Sequence, residues 1–178
     1  MKIFWRCILK ISGWSVYSEI PEGLKKYIIA VAPHTSNFDF LVGIMARGGM
    51  GFRASFLGKA SLFRFPFGIL FRALGGIPVD RDKSHNLVDQ IAKIATERDY
   101  FILAIAPEGT RKKVQKWKSG FYYIAHKSGI PIVFAQMDWA KRSVNFLKPF
   151  YPSGDFEKEL PLMKSFFDGI QGYHKRNK

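Results

Sequence analysis

Cysteine is almost missing from these 178 residues. Cys7 stands alone, so no intrachain disulfide can form and nothing asks for an oxidising compartment. Long apolar runs are missing too: no stretch of eighteen or more uncharged apolar residues occurs, which argues against a spanning helix. Acidic residues are scarce, 14 against 28 Lys and Arg, for a formal net charge of +14. That excess points to a polyanionic partner: nucleic acid, an anionic membrane surface or phosphorylated substrates. Chemistry-bearing motifs are absent as well. There is no Gly-x-Ser-x-Gly elbow, no His-Glu-x-x-His and no cysteine pair, so neither a serine hydrolase of that type nor a zinc site has support. Gly58-Lys59 lacks a P-loop context, because Arg53 and Ala60 stand where glycine and Ser/Thr are needed.

What is present is an apolar chain, 47% hydrophobic and 16% aromatic, able to bury the core of one domain. Residues 2–16 read as a helix with Lys2, Arg6 and Lys10 on one face and Ile3, Phe4, Trp5, Ile8, Leu9, Ile11 and Trp14 filling much of the rest. Such a helix suits the plane of a membrane interface. The plainer reading is a helix packed on the domain with solvated lysines. Its charged interruptions argue against a signal peptide, and the segment reads as mature sequence.

Strand and helix signals then alternate. Strands are expected at 27–32, 52–57, 77–79, 101–106, 132–137 and 144–150. Helices are expected from a Ser36 cap to about Arg47, stopped by Gly48-Gly49, and from a Ser84 cap through Arg98. Two more are expected at 119–128 and about 161–174. The 84–98 helix should bury Leu87, Val88, Ile91, Ile94 and Ala95. His85, His126 and His174 read as helix-surface residues. The phenylalanines of 62–71 face lipid, line an acyl groove or pack in the core. The order predicts a single α/β domain, mostly parallel sheet flanked by helices.

Three polar clusters follow three apolar strands: Pro33-His34…Asp39, Gly58-Lys59, and Pro107-Glu108-Gly109-Thr110-Arg111. In open α/β sheets ligands gather at the carboxyl ends of strands. Five residues apart on a continuous helix, His34 and Asp39 would point about 140° apart. With His34 in the loop and Asp39 in the first turn, the carboxylate leans back toward the imidazole. Asp39 also suits a capping box with Ser36, so both readings stand.

His34-Thr35-Ser36-Asn37-Phe38-Asp39 with Pro107-Glu108-Gly109-Thr110-Arg111 resembles the glycerolipid acyltransferases, typified by 1-acyl-sn-glycerol-3-phosphate (lysophosphatidic acid) acyltransferase. The matches are to their His-x4-Asp and Glu-Gly-Thr-Arg motifs. Gly75-Gly76-Ile77-Pro78-Val79-Asp80-Arg81 and the weaker Ile130-Pro131-Ile132-Val133 match two further motifs in the same order. Pro33, Lys112 and Phe134-Ala135 depart from common family choices.

The resemblance implies acyl transfer from acyl-CoA or acyl carrier protein, as co-substrate rather than cofactor, to a lysophospholipid hydroxyl. It implies no metal. His34 would be general base and Asp39 its orienting partner. Lys59 and Arg111 would hold the acceptor phosphate, with Arg81 beside them or paired with Asp80 or Asp82. Glu108 would hold the loop or orient the acceptor, Gly109 would allow close approach, and Thr110 belongs to the same motif. Arg111 read alone is one more member of a solvated basic run. Residues 1–18 would form the interfacial helix and 19–178 the acyltransferase domain, peripheral on the cytoplasmic face of an anionic membrane. Other readings are a different lysolipid acceptor, a non-catalytic lipid-binding protein and, remotely, a basic nucleic-acid-binding domain.

Overall fold

The computed structural model describes residues 2–79, 86–112, 114 and 116–174. Seven strands form one sheet in the order β1-β7-β6-β2-β5-β3-β4. They are β1 (Ser15–Ser18), β2 (Lys26–Ala32), β3 (Ser55–Lys59), β4 (Gly76–Val79), β5 (Phe101–Ile105), β6 (Ile132–Asp138) and β7 (Ser143–Phe146). The helices are α1 (Lys2–Ile11), α2 (Phe38–Met50), α3 (Phe67–Ala73), α4 (Leu87–Glu97), α5 (Gly120–Ser128) and α6 (Phe156–Ser165), with a 3₁₀ turn at Ala60–Phe63. All neighbouring strands are parallel except β6 and β7. The expected α/β class with a mostly parallel sheet is the fold found.

Alternation along the central strands divides the core in two. In β2, Ile28 and Ala30 face one side and Tyr27 and Ile29 the other. One side packs α4, α5 and α6 against Ile28, Leu103, Ile132 and Phe134. The other packs α1 and α2 against Tyr27, Ile29, Ile102 and Val133. Phe71 of α3 touches Phe40 of α2 and Phe63 of the 3₁₀ turn, so α3 continues the α1–α2 layer. Central strands buried on both faces are why their sequences read as continuous apolar runs.

Several boundaries differ from expectation, each for a local reason. The first helix stops at Ile11 rather than running to 16. Gly13, at φ +71°, donates to Lys10 O, and the Trp14 amide donates to Leu9 O at 2.8 Å, a Schellman cap. Residues 15–18 are therefore an edge strand, which the sequence reading missed. Helix α2 continues through Gly48-Gly49 and ends at Gly51, whose amide bonds Arg47 O at 2.8 Å in the left-handed conformation. The two glycines admit Trp5 and Leu9 of α1 instead of stopping the helix. Asn37, not Ser36, precedes α2, and the Ser36 hydroxyl accepts from the Phe38 amide at 3.2 Å.

The strand expected at 52–57 is β3, shifted to Ser55–Lys59. Strand β7 ends at Phe146, and Phe150 meets Ile132 only by an isolated bridge, since Pro149 has no amide to continue a ladder. In α4, Ala92 is buried and Ile94 lies outward; the expected Ser84 cap and His85 lie outside the described residues. The last helix is α6, capped by Asp155, whose carboxylate accepts from Lys158 N at 3.2 Å. The chain at 171–174 is irregular rather than helical, so His174 is not on a helix, whereas His126 is on α5.

Candidate functional site

Register sets the site. Ala30 lies opposite Ile105 and Phe56 opposite Ala104, so β2, β5 and β3 end level on one edge of the sheet. Loops after β2 and β5, which are neighbours, bring His34 and Glu108 together. The His34 amide donates to Glu108 Oε2 at 3.3 Å, and Glu108 is buried.

His34 Nδ1 lies 3.1 Å from Asp39 Oδ2. The same oxygen accepts from the amides of Thr35 at 2.6 Å and Ser36 at 2.7 Å. The capping reading and the pairing reading of Asp39 are thus both realised by one carboxylate in the first turn of α2. Asp39 is 3% exposed and its other oxygen accepts from Trp139 Nε1 at 2.7 Å. Burial pushes the Asp39 carboxyl up, but hydrogen bonds from His34, Ser36, Thr35 and Trp139 outweigh it and hold the group below its usual range. An ionised carboxylate on Nδ1 assigns that nitrogen as the protonated one and leaves proton chemistry to Nε2.

The turn after β5 is compact. The Gly109 amide donates to Ala106 O at 3.0 Å, and Lys118 N donates to Pro107 O at 2.8 Å. Gly109 has φ +64°, a conformation that favours glycine, and the Lys118 side chain lies over it, 2.9 Å from where a Cβ would sit. Thr110 Oγ1 accepts from Lys112 N at 3.3 Å. The Arg111 guanidinium crosses to Asn37 Oδ1, linking the β5 loop to the start of α2. Lys59, exposed, ends β3 on the same edge, with β5 between it and β2. Arg81 and its neighbours Asp80 and Asp82 lie outside the described residues. The fold therefore gathers His34, Asp39, Glu108, Gly109, Thr110 and Arg111, and sets Lys59 on the same rim.

Three participants escaped the sequence reading. Asn37 lies between His34 and Asp39, where the spacing gives it no role of its own. Lys118 covers Gly109 but lies in a run that reads as solvated. Trp139 is a hundred residues from Asp39; the signal that could have found it is that it follows β6, whose carboxyl end adjoins β2.

Behind the pair lies a cavity of about 200 Å³ with His34 and Asp39 in its wall. Its lining is otherwise almost wholly apolar: Ile29 and Val31 of β2, Phe40 and Gly43 of α2, Phe56 of β3, Met137 of β6 and their neighbours. A Cβ on Gly43 would meet nothing within 4 Å, so this helix face opens on empty space. Arg47 closes one side. Its Nη1 donates to Ala54 O at 2.6 Å and Leu74 O at 2.8 Å, tying the last turn of α2 to the chain entering β3 and β4, and burial lowers its pKa. Among the described residues no cluster of His, Cys, Asp and Glu could hold a metal.

No curated protein sequence matches this chain. Among solved structures, the 1-acyl-sn-glycerophosphate (LPA) acyltransferase PlsC from Thermotoga maritima is similar. It has a TM-score of 0.63 at 22% identity, over 93% of this chain and 73% of that one. At that identity the likeness speaks for the fold. The family model described as Acyltransferase matches residues 15–137, from the start of β1 to the penultimate residue of β6, well over half of the chain. The chain belongs to the Acyltransferase family.

Proposed function

We propose that this protein transfers a fatty acyl group from acyl-CoA or acyl carrier protein to the hydroxyl of a lysophospholipid, with 1-acyl-sn-glycerol-3-phosphate as first choice of acceptor. One observation carries the reading: an Asp-anchored histidine in the wall of an apolar cavity, at the carboxyl edge of the sheet. The acceptor follows the name of the Thermotoga maritima protein and the phosphate-binding chemistry of the basic rim.

A hydroxyl is a weak nucleophile until its proton leaves. His34 Nε2 takes that proton as the oxygen attacks the thioester carbonyl, a contribution typically of about 10²–10⁴ in rate. Asp39 holds the Nδ1 proton and stabilises the imidazolium. The tetrahedral intermediate collapses, the C–S bond breaks, and the thiolate leaves with the proton carried by His34. Ester and free thiol are the products, and no side-chain nucleophile is required. Arg111 and Lys59 bind the acceptor phosphate, Arg111 from its seat on Asn37, with Arg81 as a third candidate. Glu108 fixes the loop that carries His34. The apolar cavity receives the acyl chain.

No helix among the described residues is long and apolar enough to cross a membrane. Ile3, Phe4 and Ile11 of α1 are exposed, as are Phe65 before α3 and Phe67 and Ile69 within it. With +14 of charge these favour a monotopic seat on anionic lipid at the cytoplasmic face, each nearby Lys or Arg adding about 1 kcal/mol.

The test is thiol release from acyl-CoA and acyl-carrier-protein donors, with and without lysophosphatidic acid, by wild type and His34→Ala. Acceptor-dependent release by wild type alone is expected. Equal release by both removes His34 as base. Silence from folded, liposome-bound wild type across a panel of lysolipid acceptors overturns the transferase reading in favour of lipid binding.

A further inference from the structure

The Asp39 carboxylate is anchored unevenly. Three donors, His34 Nδ1 and the amides of Thr35 and Ser36, converge on Oδ2, while Oδ1 takes Trp139 Nε1. Three bonds on one oxygen leave the group able to pivot about that atom, and the indole is the anchor on the other. The indole is itself held. Trp14 packs edge-on against it with ring centroids 4.9 Å apart, and Tyr173 does the same at 4.7 Å. The Trp139 amide donates to Gln171 O at 2.8 Å.

The C-terminal segment is seated in turn on the catalytic loop. Tyr173 packs on Phe38 at 5.2 Å, the first residue of α2. The His174 amide donates to Thr35 Oγ1 at 3.4 Å. Gly172 lies so close that a Cβ would sit 2.5 Å from Thr35 Cγ2. Thus the segment after α1, the end of β6 and the segment after α6 meet on one ring. Trp14, Trp139 and Tyr173 all fall outside the stretch that the family model matches, 15–137.

We propose that Trp139 is a positioning residue for the acid–base pair, and that Trp14 and Tyr173 clasp its indole so that the Asp39 carboxylate presents Oδ2 to His34. The proposal rests on the reading of His34 and Asp39 as that pair. It assigns to the two ends of the described chain a part in the chemistry that none of the short motifs contains. A hydrogen bond to a charged group is worth about 1.5–3 kcal/mol, or roughly 10–150-fold in an equilibrium or rate.

The experiment is Trp139→Phe in the full chain, which keeps a ring in the clasp and removes the N–H. Expected is a fall in kcat for acyl transfer of about tenfold or more with the acceptor KM held. The acid limb of the kcat/KM–pH profile should move upward, because a carboxylate stripped of a donor is more basic and holds the imidazolium longer. In parallel, the downfield Nδ1–H proton resonance of His34, identified by its loss in His34→Ala, should shift in the variant. Tyr173→Ala, which leaves the N–H in place, should move the same readouts by less. A variant that loses only thermal stability, with resonance and pH limb unmoved, overturns the proposal. So do unchanged kinetics and resonance in folded protein. The resonance needs no turnover: if wild type transfers no acyl group, the transferase reading fails while the shift still decides the clasp.

Discussion

The two faces of the sheet carry opposite surfaces. Outside the α4–α5–α6 layer, charged residues pair with one another: Lys93 with Glu97, Lys127 with Asp89 and Lys158 with Asp155. Outside the α1–α2–α3 layer, Ile3, Phe4, Phe38, Leu41, Phe65 and Ile69 are exposed, Phe65 at 88%. The cations there, Lys2, Lys10, Arg64 and Arg72 among them, make no ion pair within the described residues. Beneath the second face lies the cavity with the His34–Asp39 pair in its wall. Lone exposed apolar residues need no explanation, but a whole layer of them beside unneutralised cations marks an interaction surface. The second face has the exposed apolar side chains and cations that the lipid contact proposed above calls for, and the cavity that the His34–Asp39 pair lines lies beneath it.

The comparison breaks most directly at the tip between the 3₁₀ turn and α3. Phe65→Asp with Phe67→Asp should abolish sedimentation with vesicles of phosphatidylcholine and phosphatidylglycerol. Each buried phenylalanine is worth about 1.5–3 kcal/mol, so the pair should cost roughly a hundredfold or more in partitioning. Lys93→Ala with Lys127→Ala on the other face, an equal change of −2 in net charge, should leave a substantial part of the binding. Equal losses would dissolve the distinction between the faces.

Within the apolar layer, two glycines make opposite forecasts. A Cβ on Gly68 would overlap the Phe63 carbonyl, a backbone atom that cannot swing aside, so Gly68→Ala should lower stability by about 1–3 kcal/mol in denaturant titration. Gly43→Ala enters open space inside α2 and should raise it by up to about 1 kcal/mol. Gly43→Leu should fill the cavity and shift the preferred acyl donor to shorter chains. An unchanged chain-length profile would separate the cavity from the acyl group.

Acid distinguishes the layers in another way. The Asp39 carboxyl sits below its unfolded value in the fold, so its ionised form stabilises the protein. That contribution is complete above the unfolded value near 4 and is lost as pH falls through the depressed folded value. Because the group is buried, the acid limb of stability from Asp39 should persist in high salt. The exposed Asp155 is also held low, first by its hydrogen bonds with Lys158, but salt should erase its share. Asp39→Asn should flatten the salt-resistant part; an unaltered acid limb would remove Asp39 as its source.

Much of this architecture is legible in the sequence, because central strands of a parallel sheet are apolar on both faces and the polar motifs follow them directly. His34, Asp39 and Arg111 are legible for that reason. The ends of elements are not. Gly13 and Gly51 cap helices, while Gly48 and Gly49 between them serve packing, and composition alone does not separate the two uses. β1 is four residues long, mostly exposed, and pairs with a strand more than a hundred residues later, so no local period announces it. Trp139 is a contact across the sheet and belongs to no spacing at all.

The smallest effect tests the wet face. Lys93 and Glu97 lie four apart on α4 with both side chains mostly in solvent and their charges 3.8 Å apart. Such a pair gains little Coulomb energy in water and orders two long side chains to do so. Lys93→Ala should therefore change stability by no more than about 0.5 kcal/mol, and 1 M salt should erase even that. If Lys93→Ala instead cost as much as Gly68→Ala, the charged face would be a structural element in its own right. The contrast between the two faces would then be one of stability rather than of the medium each one meets.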